Sequence, residues 1–282
     1  MPNSILHNLD ESDYIASHLV FRQASNQQEK MIEWFAKNAL TLATHDPLNV
    51  LSIGSGTGML DKQLIPLFQQ VVSQIHFVGI DPNKQECQSF EENTKLLHNK
   101  NVRISVHTTT LEDYETEQHF DLTLMVHVIY YFPDPNIPIL TSYNLLKSPH
   151  GKGVIIVSPD TAVNFFYKEA LQSRGYQLCL SPTVESILSE RKIPYEKHSL
   201  PAQLEVTDCF VQGSEVGEKL LSFILQFYPR RMQVSHKRRV VDYLASVSYI
   251  KNGKRYIPHP TDIYILNAGM KRNVSTNPHG CG

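Results

Sequence analysis

Cysteine is scarce in this sequence, and its spacing excludes the usual cysteine-based sites. Only four cysteines occur among the 282 residues, namely Cys87, Cys179, Cys209 and Cys281, and no two of them form a CxxC pair. This spacing indicates neither a zinc site nor a disulfide framework, and we expect no metal. Reduced thiols, as in the cytosol, are the simplest interpretation.

A surplus of positive charge is also missing. The 26 lysines and arginines are balanced by 28 acidic residues, which gives a net charge of −2. Binding to the phosphate backbone of nucleic acids relies on a positive field, so we expect no nucleic-acid partner. The sequence has one basic run, PRRMQVSHKRR at 229–239. We interpret it as the solvated face of a helix; alternatively, it could attract an anionic group of the substrate or RNA phosphates.

Long apolar runs are absent as well. The N-terminal stretch MPNSILHNLDESDY carries acidic residues early and has no unbroken apolar segment, unlike a secretory signal or a transmembrane helix. We therefore expect a cytoplasmic protein without a membrane partner. A content of 41% hydrophobic and 19% charged residues is ordinary for a globular protein, and no low-complexity linker or internal repeat divides the chain.

Apolar segments alternate with helical patterns over the first 160 residues. The helix candidates cover 29–44, 60–74 and 84–98, and Pro66 is expected to break or kink the second of them. The first strand candidate ends at Ile53, and the other four cover 75–83, 102–108, 121–132 and 152–160. This alternation predicts an α/β fold with a doubly wound, parallel sheet built from right-handed crossovers. Beyond residue 160 the pattern is less regular and predicts helices over 162–175, 183–190, 217–228 and 235–250, and strands over 195–206 and 262–268.

A glycine-rich loop, LSIGSGTGMLD at 51–61, follows the first strand candidate. Gly54, Gly56 and Gly58 lack a Cβ, so the backbone can approach a ligand closely. Ligands of open α/β sheets bind beyond the carboxyl ends of the strands, where this loop begins. The spacing G-x-G-x-G differs from the dinucleotide pattern G-x-G-x-x-G and favours a ligand without a pyrophosphate, which makes a dehydrogenase less favoured. A tight strand-to-helix turn is the structural alternative.

An acidic residue follows the next strand candidate. Asp81 closes the apolar run IHFVGID, 23 positions after Gly58. A carboxylate at the tip of the neighbouring strand can accept hydrogen bonds from ribose hydroxyls.

The glycine loop, the strand-terminal acid and a third strand leading into TTLED together resemble class I S-adenosylmethionine-dependent methyltransferases. The resemblance implies that residues just past the third strand, here Thr110, Leu111 and Glu112, lie against the adenine. One departure is Ser52, because many such enzymes have an acidic residue two positions before the first glycine.

Three further segments are similar to histamine N-methyltransferases and their relatives. They are LSIGSGTG, FDLTLMVHVIYYFPD, and LEVTDCF followed by GSEVGEKLLSFIL, and the resemblance extends from about residue 14 to 268. It implies a Rossmann-like core with a mostly parallel, seven-stranded sheet, S-adenosylmethionine as cofactor, and methyl transfer to a nitrogen of a small molecule. The implied organisation is an N-terminal helical cap at 1–46, a cofactor-binding core at 47–160, the rest of the core with substrate-covering elements at 161–268, and a disordered tail at 269–282. We expect a monomer.

The same resemblance implies a set of cofactor-binding positions. Either Gln85 or Glu86 would lie on the ribose side of the adenine, since the register of this segment is open. The remaining cofactor positions are Gly54, Ser55, Gly56, Gly58, Asp81, Leu111 and Val126.

On the substrate side the resemblance implies an aromatic cage with polar departures. At the position of Gln27 the family has a glutamate that recognises histamine. It has a glutamine at the position of His127 and an asparagine near that of His259. Losing the carboxylate removes the charged acceptor that favours a cationic amine, so histamine itself is disfavoured. The expected substrate is a small imidazole- or amine-containing molecule: a histamine-like compound, histidine or a histidyl dipeptide. His18 is a further candidate. The aromatic positions are Tyr14, Phe21, Tyr130, Tyr131 and Tyr167, the last in place of a tryptophan.

His127 and Tyr130 are the candidate catalytic residues. Tyrosines 130 and 131 follow the fourth strand, where a ring face would stabilise a cationic methyl donor, although core packing explains either ring equally well. His127 could make a polar contact or act as a general base, with a structural histidine as the alternative. Methyl transfer to oxygen or carbon, or a non-catalytic cofactor-binding partner subunit, are the alternative functions.

Overall fold

The computed structural model describes residues 9–173 and 175–269. Nine helices and ten strands lie in these two ranges. The helices are α1 (Glu11–Ala24), α2 (Gln27–Leu42), α3 (Asp61–Gln69), α4 (Lys84–Thr94), α5 (Asn136–Asn144), α6 (Phe165–Gln172), α7 (Ser181–Glu190), α8 (Glu215–Leu225) and α9 (Val234–Val247). The strands are β1 (Leu48–Ile53), β2 (Ile75–Asp81), β3 (Val102–Thr108), β4 (Leu122–Val126), β5 (Lys152–Val157), β6 (Tyr195–Leu200), β7 (Gln203–Glu205), β8 (Tyr249–Lys251), β9 (Lys254–Pro258) and β10 (Thr261–Asn267).

The chain forms two compact units. The sheet unit contains residues 32–157, 179–198 and the chain from 262 onward, and the accessory unit contains the chain up to residue 31 with 158–178 and 199–261. Each unit is therefore assembled from several separate segments of the sequence.

The sheet unit holds a seven-stranded sheet, apart from the ends of β6 and β10. The strand order is β3-β2-β1-β4-β5-β10-β6, with parallel pairing from β3 to β5 and β10 antiparallel to β5. The chain runs outward from β1 to β3 and then returns to β4 on the other side of β1. This mostly parallel, doubly wound sheet confirms the fold class predicted from the sequence.

The central strands are apolar because the core packs against them. In β1 only Asn49 is not fully buried, and β5 is buried from its second residue onward. Leu51, Met125, Ile155 and Tyr264 belong to one continuous cluster of buried side chains. Burial of each such side chain stabilises the fold by about 1.5–3 kcal/mol, which fixes the strand ends that carry the polar residues described below.

The predicted helix over 60–74 is shorter in the structure. Helix α3 continues through Pro66 and ends at Gln69, so the proline does not break it and the predicted end at 74 is wrong. The carboxylate of Asp46 accepts hydrogen bonds from the backbone N–H groups of Ser73 and Gln74, at 2.9 Å each. A turn, in which the N–H groups of Val71 and Val72 donate to the carbonyl oxygen of Phe68, and these bonds to Asp46 take the place of further helical turns before β2 begins.

The predicted strand over 195–206 is also wrong as a single element. It divides into β6 and β7, which belong to different sheets. Pro201 lies at the division, and proline cannot donate to a sheet ladder. The fourth strand likewise ends at Val126 instead of 132, because a 3₁₀ turn, Ile129–Tyr131, follows it. The apolar pattern did not predict α1, α5, β8 or β9.

The accessory unit has its own core. Strands β7, β9 and β8 form an antiparallel three-stranded sheet in that order, and helices α1 and α8 pack against each other. Its buried cluster includes Phe21, Phe166, Leu204, Leu221 and Ile257.

Gly217 permits close packing of α8 in the accessory unit. A Cβ at this position would lie 2.1 Å from the carbonyl oxygen of Asp208. We expect Gly217→Ala to lower the free energy of unfolding by about 1–3 kcal/mol, although alanine is the better helix former. Thermal unfolding measures this, with the exposed Val216→Ala on the same helix as a control expected to stay within about 0.5 kcal/mol of wild type. An unchanged melting temperature for Gly217→Ala would contradict this packing.

In the two described ranges, no helix is both long and apolar enough to cross a bilayer. Cys87, Cys179 and Cys209 are free and buried. Cys281 and the tail predicted to be disordered, from residue 270 onward, lie outside the described residues.

Candidate active site

The glycine loop leaves β1 with three residues in the left-handed region of backbone conformation. Gly54, Gly56 and Gly58 have φ angles of 64°, 53° and 68°. The N–H groups of Gly54 and Ser55 donate to the carbonyl oxygen of Ile80 on β2, at 2.9 and 3.1 Å. The loop is therefore tied to the carboxyl end of the neighbouring strand and cannot be built from ordinary residues without strain.

The outer glycines and the middle glycine have different surroundings. A Cβ at Gly54 would lie 2.2 Å from Val128 Cγ2, and one at Gly58 would lie 2.5 Å from Phe90 Cδ2. At Gly56 the one described atom within 4 Å of such a Cβ is Glu86 Oε2, at 3.7 Å. The two outer glycines thus allow Val128 and Phe90 to pack against the loop, whereas the side of the loop at Gly56 is open and has room for a ligand.

Asp81 holds the loop from β2. Its Oδ2 accepts a hydrogen bond from Gly56 N–H at 3.1 Å, and its Oδ1 accepts one from Asn83 N–H at 2.8 Å. Burial raises the pKa of this carboxyl, while the two backbone donors act in the opposite direction. A carboxylate has about four acceptor sites, so capacity for ligand hydroxyls remains on both oxygens.

Asn83 fixes the start of α4 and thereby the orientation of residues 85 and 86. Its side-chain oxygen accepts from the N–H groups of Gln85 and Glu86, at 2.9 and 3.3 Å, as an N-cap. Gln85 is exposed, whereas the half-buried Glu86 extends toward Gly56. Of the two candidates that the sequence left open, Glu86 is the one beside the loop.

The segment after β3 has one buried and one exposed candidate. Leu111 is buried in the core cluster of the sheet unit, and Glu112 is exposed. The hydroxyl of Thr110 donates to Asp113 Oδ2 at 2.8 Å and accepts from Asp113 N–H at 3.1 Å, which closes a tight turn. Thr109 N–H donates to the carbonyl oxygen of Asp81 at 3.1 Å, so this turn lies beside the strand-terminal acid.

The end of β4 presents His127 next to the glycine loop. Val126 is the last strand residue, and His127 has a φ of 52°, an unusual value for a residue with a side chain. Its N–H still donates to the carbonyl oxygen of Ile156, at 2.9 Å. Val128 then packs on Gly54, which places the turn in direct contact with the loop.

His127 and Tyr130 form a hydrogen-bonded pair. The distance between His127 Nδ1 and the Tyr130 hydroxyl is 3.1 Å, and the two ring planes are 15° from parallel. Tyr130 is partly buried against the core, and Tyr131 is 38% exposed. A left-handed non-glycine residue costs about 1–2 kcal/mol, a strain typical of functional sites.

In the accessory unit, residues predicted to bind substrate form an aromatic cluster. His18 stacks on Phe223 with ring centroids 5.0 Å apart, and Phe21 and Tyr14 lie 4.5 and 5.7 Å from the same ring. Burial, reinforced by the charge of Arg22, lowers the pKa of His18 to about 4, so its imidazole is neutral at physiological pH. Tyr167 lies on another helix, α6, and is half-buried.

Gln27 and His259 meet in the same unit although 232 residues separate them. The amide Nε2 of Gln27 donates to the carbonyl oxygens of His259 and Pro260, at 3.2 and 3.3 Å. His259 Nδ1 lies 2.8 Å from the Ser25 hydroxyl, and its ring contacts Phe21 edge-on. The side-chain amide is thus oriented by backbone carbonyls, which leaves its oxygen as the acceptor group.

The basic run at 229–239 carries its own partners. Arg230 and Arg231 lie over the ring of Tyr228. The other pairs are Lys237 with Glu218, Arg238 with Asp242, and Arg239 with Glu169. These contacts favour a solvated, charge-matched face over attraction of phosphates.

Sequence reasoning missed Phe223, Asn83 and Asp61 as contributors to these sites. Asn83 was detectable, since asparagine before a polar helical stretch is a standard N-cap signal. Phe223 had a weaker signal as an aromatic residue on an amphipathic helix. Asp61, buried beside Ser52, had none.

Comparison with known proteins shows the family of the chain. The family described as "Methyltransferase domain" matches residues 44–205, more than half of the chain. Histamine N-methyltransferase A of Xenopus laevis is 26% identical over 290 residues, which cover 92% of this chain and 96% of that protein.

Solved structures agree with the fold. The YcgJ protein of Bacillus subtilis superimposes with a TM-score of 0.53 at 15% identity and covers 84% of this chain and 97% of its own. The plantazolicin methyltransferase BpumL, solved with S-adenosylhomocysteine, gives a TM-score of 0.50 at 11% identity and covers 91% and 88%.

The cofactor implied by this family fits the residues present. Gly56 leaves one side of the loop open, Asp81 has acceptor capacity, and the Ser55 hydroxyl is buried without a hydrogen-bond partner among the described residues. The chain belongs to the methyltransferase domain family and is a class I, S-adenosylmethionine-dependent methyltransferase.

Proposed function

We propose that the protein methylates a nitrogen atom of a small molecule that carries an imidazole or amine group. The observation that carries the proposal is the His127–Tyr130 pair, held next to the glycine loop by the contact of Val128 with Gly54. The similarity to histamine N-methyltransferases supports the choice of nitrogen as acceptor. His127 and Tyr130 are the proposed catalytic residues.

The chemistry demands little beyond orientation and proton removal. When bound, S-adenosylmethionine supplies an activated methyl group on a sulfonium, which leaves as a neutral thioether. The protein has to align the acceptor lone pair and exclude water. We propose that His127, whose Nδ1 lies 3.1 Å from the Tyr130 hydroxyl, accepts the proton that the acceptor releases.

The accessory unit supports an acceptor without a strong positive charge. Gln27 offers an amide oxygen instead of a carboxylate, and His18 is neutral beside Tyr14, Phe21 and Phe223. We propose that these residues, with Tyr167 and His259, recognise a flat heterocycle through ring contacts and neutral hydrogen bonds. Histidine or a histidyl dipeptide meets this description.

The test is methyl transfer from cofactor with a labelled methyl group to a panel of imidazoles, alkylamines and phenols. Product mass and fragmentation identify the methylated atom and separate transfer to nitrogen from transfer to oxygen or carbon. Cofactor binding without transfer to any nitrogen in the panel would refute this function.

His127→Gln separates the role of the base from that of binding. At neutral pH an alkylamine is protonated and needs a base, whereas imidazole is largely unprotonated. We expect turnover of alkylamines to fall about 100-fold and that of imidazoles to fall less than about fivefold. Initial rates measure both, with the exposed His119→Gln as a control of unchanged activity. Equal losses for both acceptor types would exclude His127 from proton transfer.

A further inference from the structure

A carboxylate is buried at the base of the glycine loop. Asp61 is the first residue of α3, three positions after Gly58, and is 4% exposed. Ser52 on β1, two positions before Gly54, donates a hydrogen bond from Oγ to Asp61 Oδ1 at 2.9 Å. The two side chains therefore bracket the loop from its two ends.

No cation compensates this carboxylate. In the part of the chain that the structure describes, Ser52 is its hydrogen-bonded side-chain partner, and no charged group of β1, the loop or α3 contributes to its titration. Burial raises the pKa of Asp61 to about 7, opposed by the bonds from Ser52 and from its own backbone N–H. A buried carboxyl without a cationic partner is stabilised either by a proton or by a cation that a ligand supplies.

The glycine loop leads directly into the first turn of α3, which carries Asp61. Lys62 N–H, at the next position, donates to the carbonyl oxygen of Gly58 at 2.8 Å, so the first turn of α3 continues the loop without a break. The loop binds a cofactor that carries a positive sulfonium before methyl transfer and an uncharged thioether after it. The two forms differ by one methyl group and one charge.

We infer that the Ser52–Asp61 pair is the counter-charge of the cofactor site, which favours the cationic methyl donor over the uncharged product. Asp61 supplies the charge, and Ser52 is its positioning residue. As the donor binds, the Asp61 carboxyl loses its proton to solvent; as the product forms, the carboxyl regains it. The inference rests on the cofactor and is independent of the acceptor atom.

The test compares Asp61→Asn with wild type by titration calorimetry, using S-adenosylmethionine and S-adenosylhomocysteine as probes. We expect affinity for the donor to fall about tenfold and affinity for the product to change less than about twofold, because a screened charge interaction is lost from one ligand only. At neutral pH, wild type should release protons when it binds the donor, as measured from the difference in heat between two buffers of different ionisation enthalpy, and Asp61→Asn should release fewer.

Folding is controlled within the same design. Asparagine keeps an acceptor for Ser52, and it removes a buried charge, so the melting temperature without ligand at pH 8 should equal or exceed that of wild type. The exchange variant Ser52→Asp with Asp61→Ser moves the carboxylate to the other partner and should restore the preference for the donor. Equal weakening of both probes in Asp61→Asn, or unchanged proton release, would overturn the inference, leaving Asp61 as a structural acid at the start of α3.

Discussion

Gly56→Ala is expected to abolish cofactor binding while the protein remains folded. The φ of 53° lies in the left-handed region, where alanine costs about 1–2 kcal/mol, and no described atom other than Glu86 Oε2 lies within 4 Å of the added methyl group. The methyl group would therefore occupy the side of the loop where we place the cofactor. We expect calorimetry to show at least about a 100-fold loss of affinity for S-adenosylhomocysteine, because the added methyl group would overlap the ligand and the rigid loop could not move away.

The control for backbone strain is Gly213→Ala. Gly213 has a φ of 79° with nothing within 4 Å of an added Cβ, and it lies in the accessory unit. It should lose a similar free energy of unfolding and keep its full affinity. Gly54→Ala differs from both, because its methyl group would overlap Val128 and should destabilise the fold itself. If Gly56→Ala bound the cofactor as tightly as Gly213→Ala, the open side of the loop would not be the binding surface.

The glycine loop and Asp81 could be predicted because their signals are local. A strand, its loop and the next helix are contiguous in sequence, and the parallel pairing of β1 with β2 brings Asp81 to Gly56 as soon as both strands form. The fold class followed from the same alternation of strands and helices. The register between Gln85 and Glu86 needed the N-cap at Asn83, which depends on where α4 begins.

The aromatic cluster and the split of the strand at Pro201 depend on long-range packing. Phe223 meets Tyr14 and His18 because α8 packs on α1, an arrangement that no periodicity in either helix specifies. The resemblance nevertheless named several members of this cluster, while Phe223, which contacts three of them, was not singled out. Residues that bridge distant segments carry a weaker signal than those on one element.

Ser52 illustrates a departure from a family pattern that the structure explains. Where many methyltransferases have an acidic residue before the loop, this chain has a serine, and the carboxylate that lies beside this serine belongs to Asp61, nine residues later. The sequence contains both residues, but only the return of α3 toward β1 brings them together. A carboxylate can therefore lie beside the end of β1 although it comes from a later element of the sequence.

Asp81→Asn is expected to lower cofactor affinity by about 100-fold or more. Both carboxylate oxygens accept from backbone N–H groups, those of Gly56 and Asn83. Asparagine has one acceptor oxygen and one NH₂ donor, so one loop N–H would face another donor, at a cost of about 1–3 kcal/mol, and acceptor capacity for a ribose would be halved. The matched control is Asp46→Asn, since Asp46 also accepts hydrogen bonds from backbone N–H groups, those of Ser73 and Gln74, but before the amino-terminal ends of β1 and β2.

The pH dependence of cofactor affinity and of the free energy of unfolding in wild type independently tests the role of the Asp81 carboxylate. Burial raises the pKa of Asp81, so its ionised form is lost at a higher pH than for an ordinary carboxyl. Because the folded-state pKa is raised, the contribution of Asp81 to the free energy of unfolding is present at acid pH and is lost as the pH rises through that pKa. Affinity follows the ionised form and changes in the opposite direction: it should weaken as the pH is lowered, whereas the ligand-free fold gains from protonation of this group. Calorimetry and thermal unfolding from about pH 4, the ordinary pKa of an aspartate, upward would measure the two trends, and both should become shallower in Asp81→Asn, in which the titration of Asp61 remains. A wild-type affinity that stayed constant across this range, or a variant that retained the wild-type slope, would show that Asp81 does not bind the cofactor as a carboxylate.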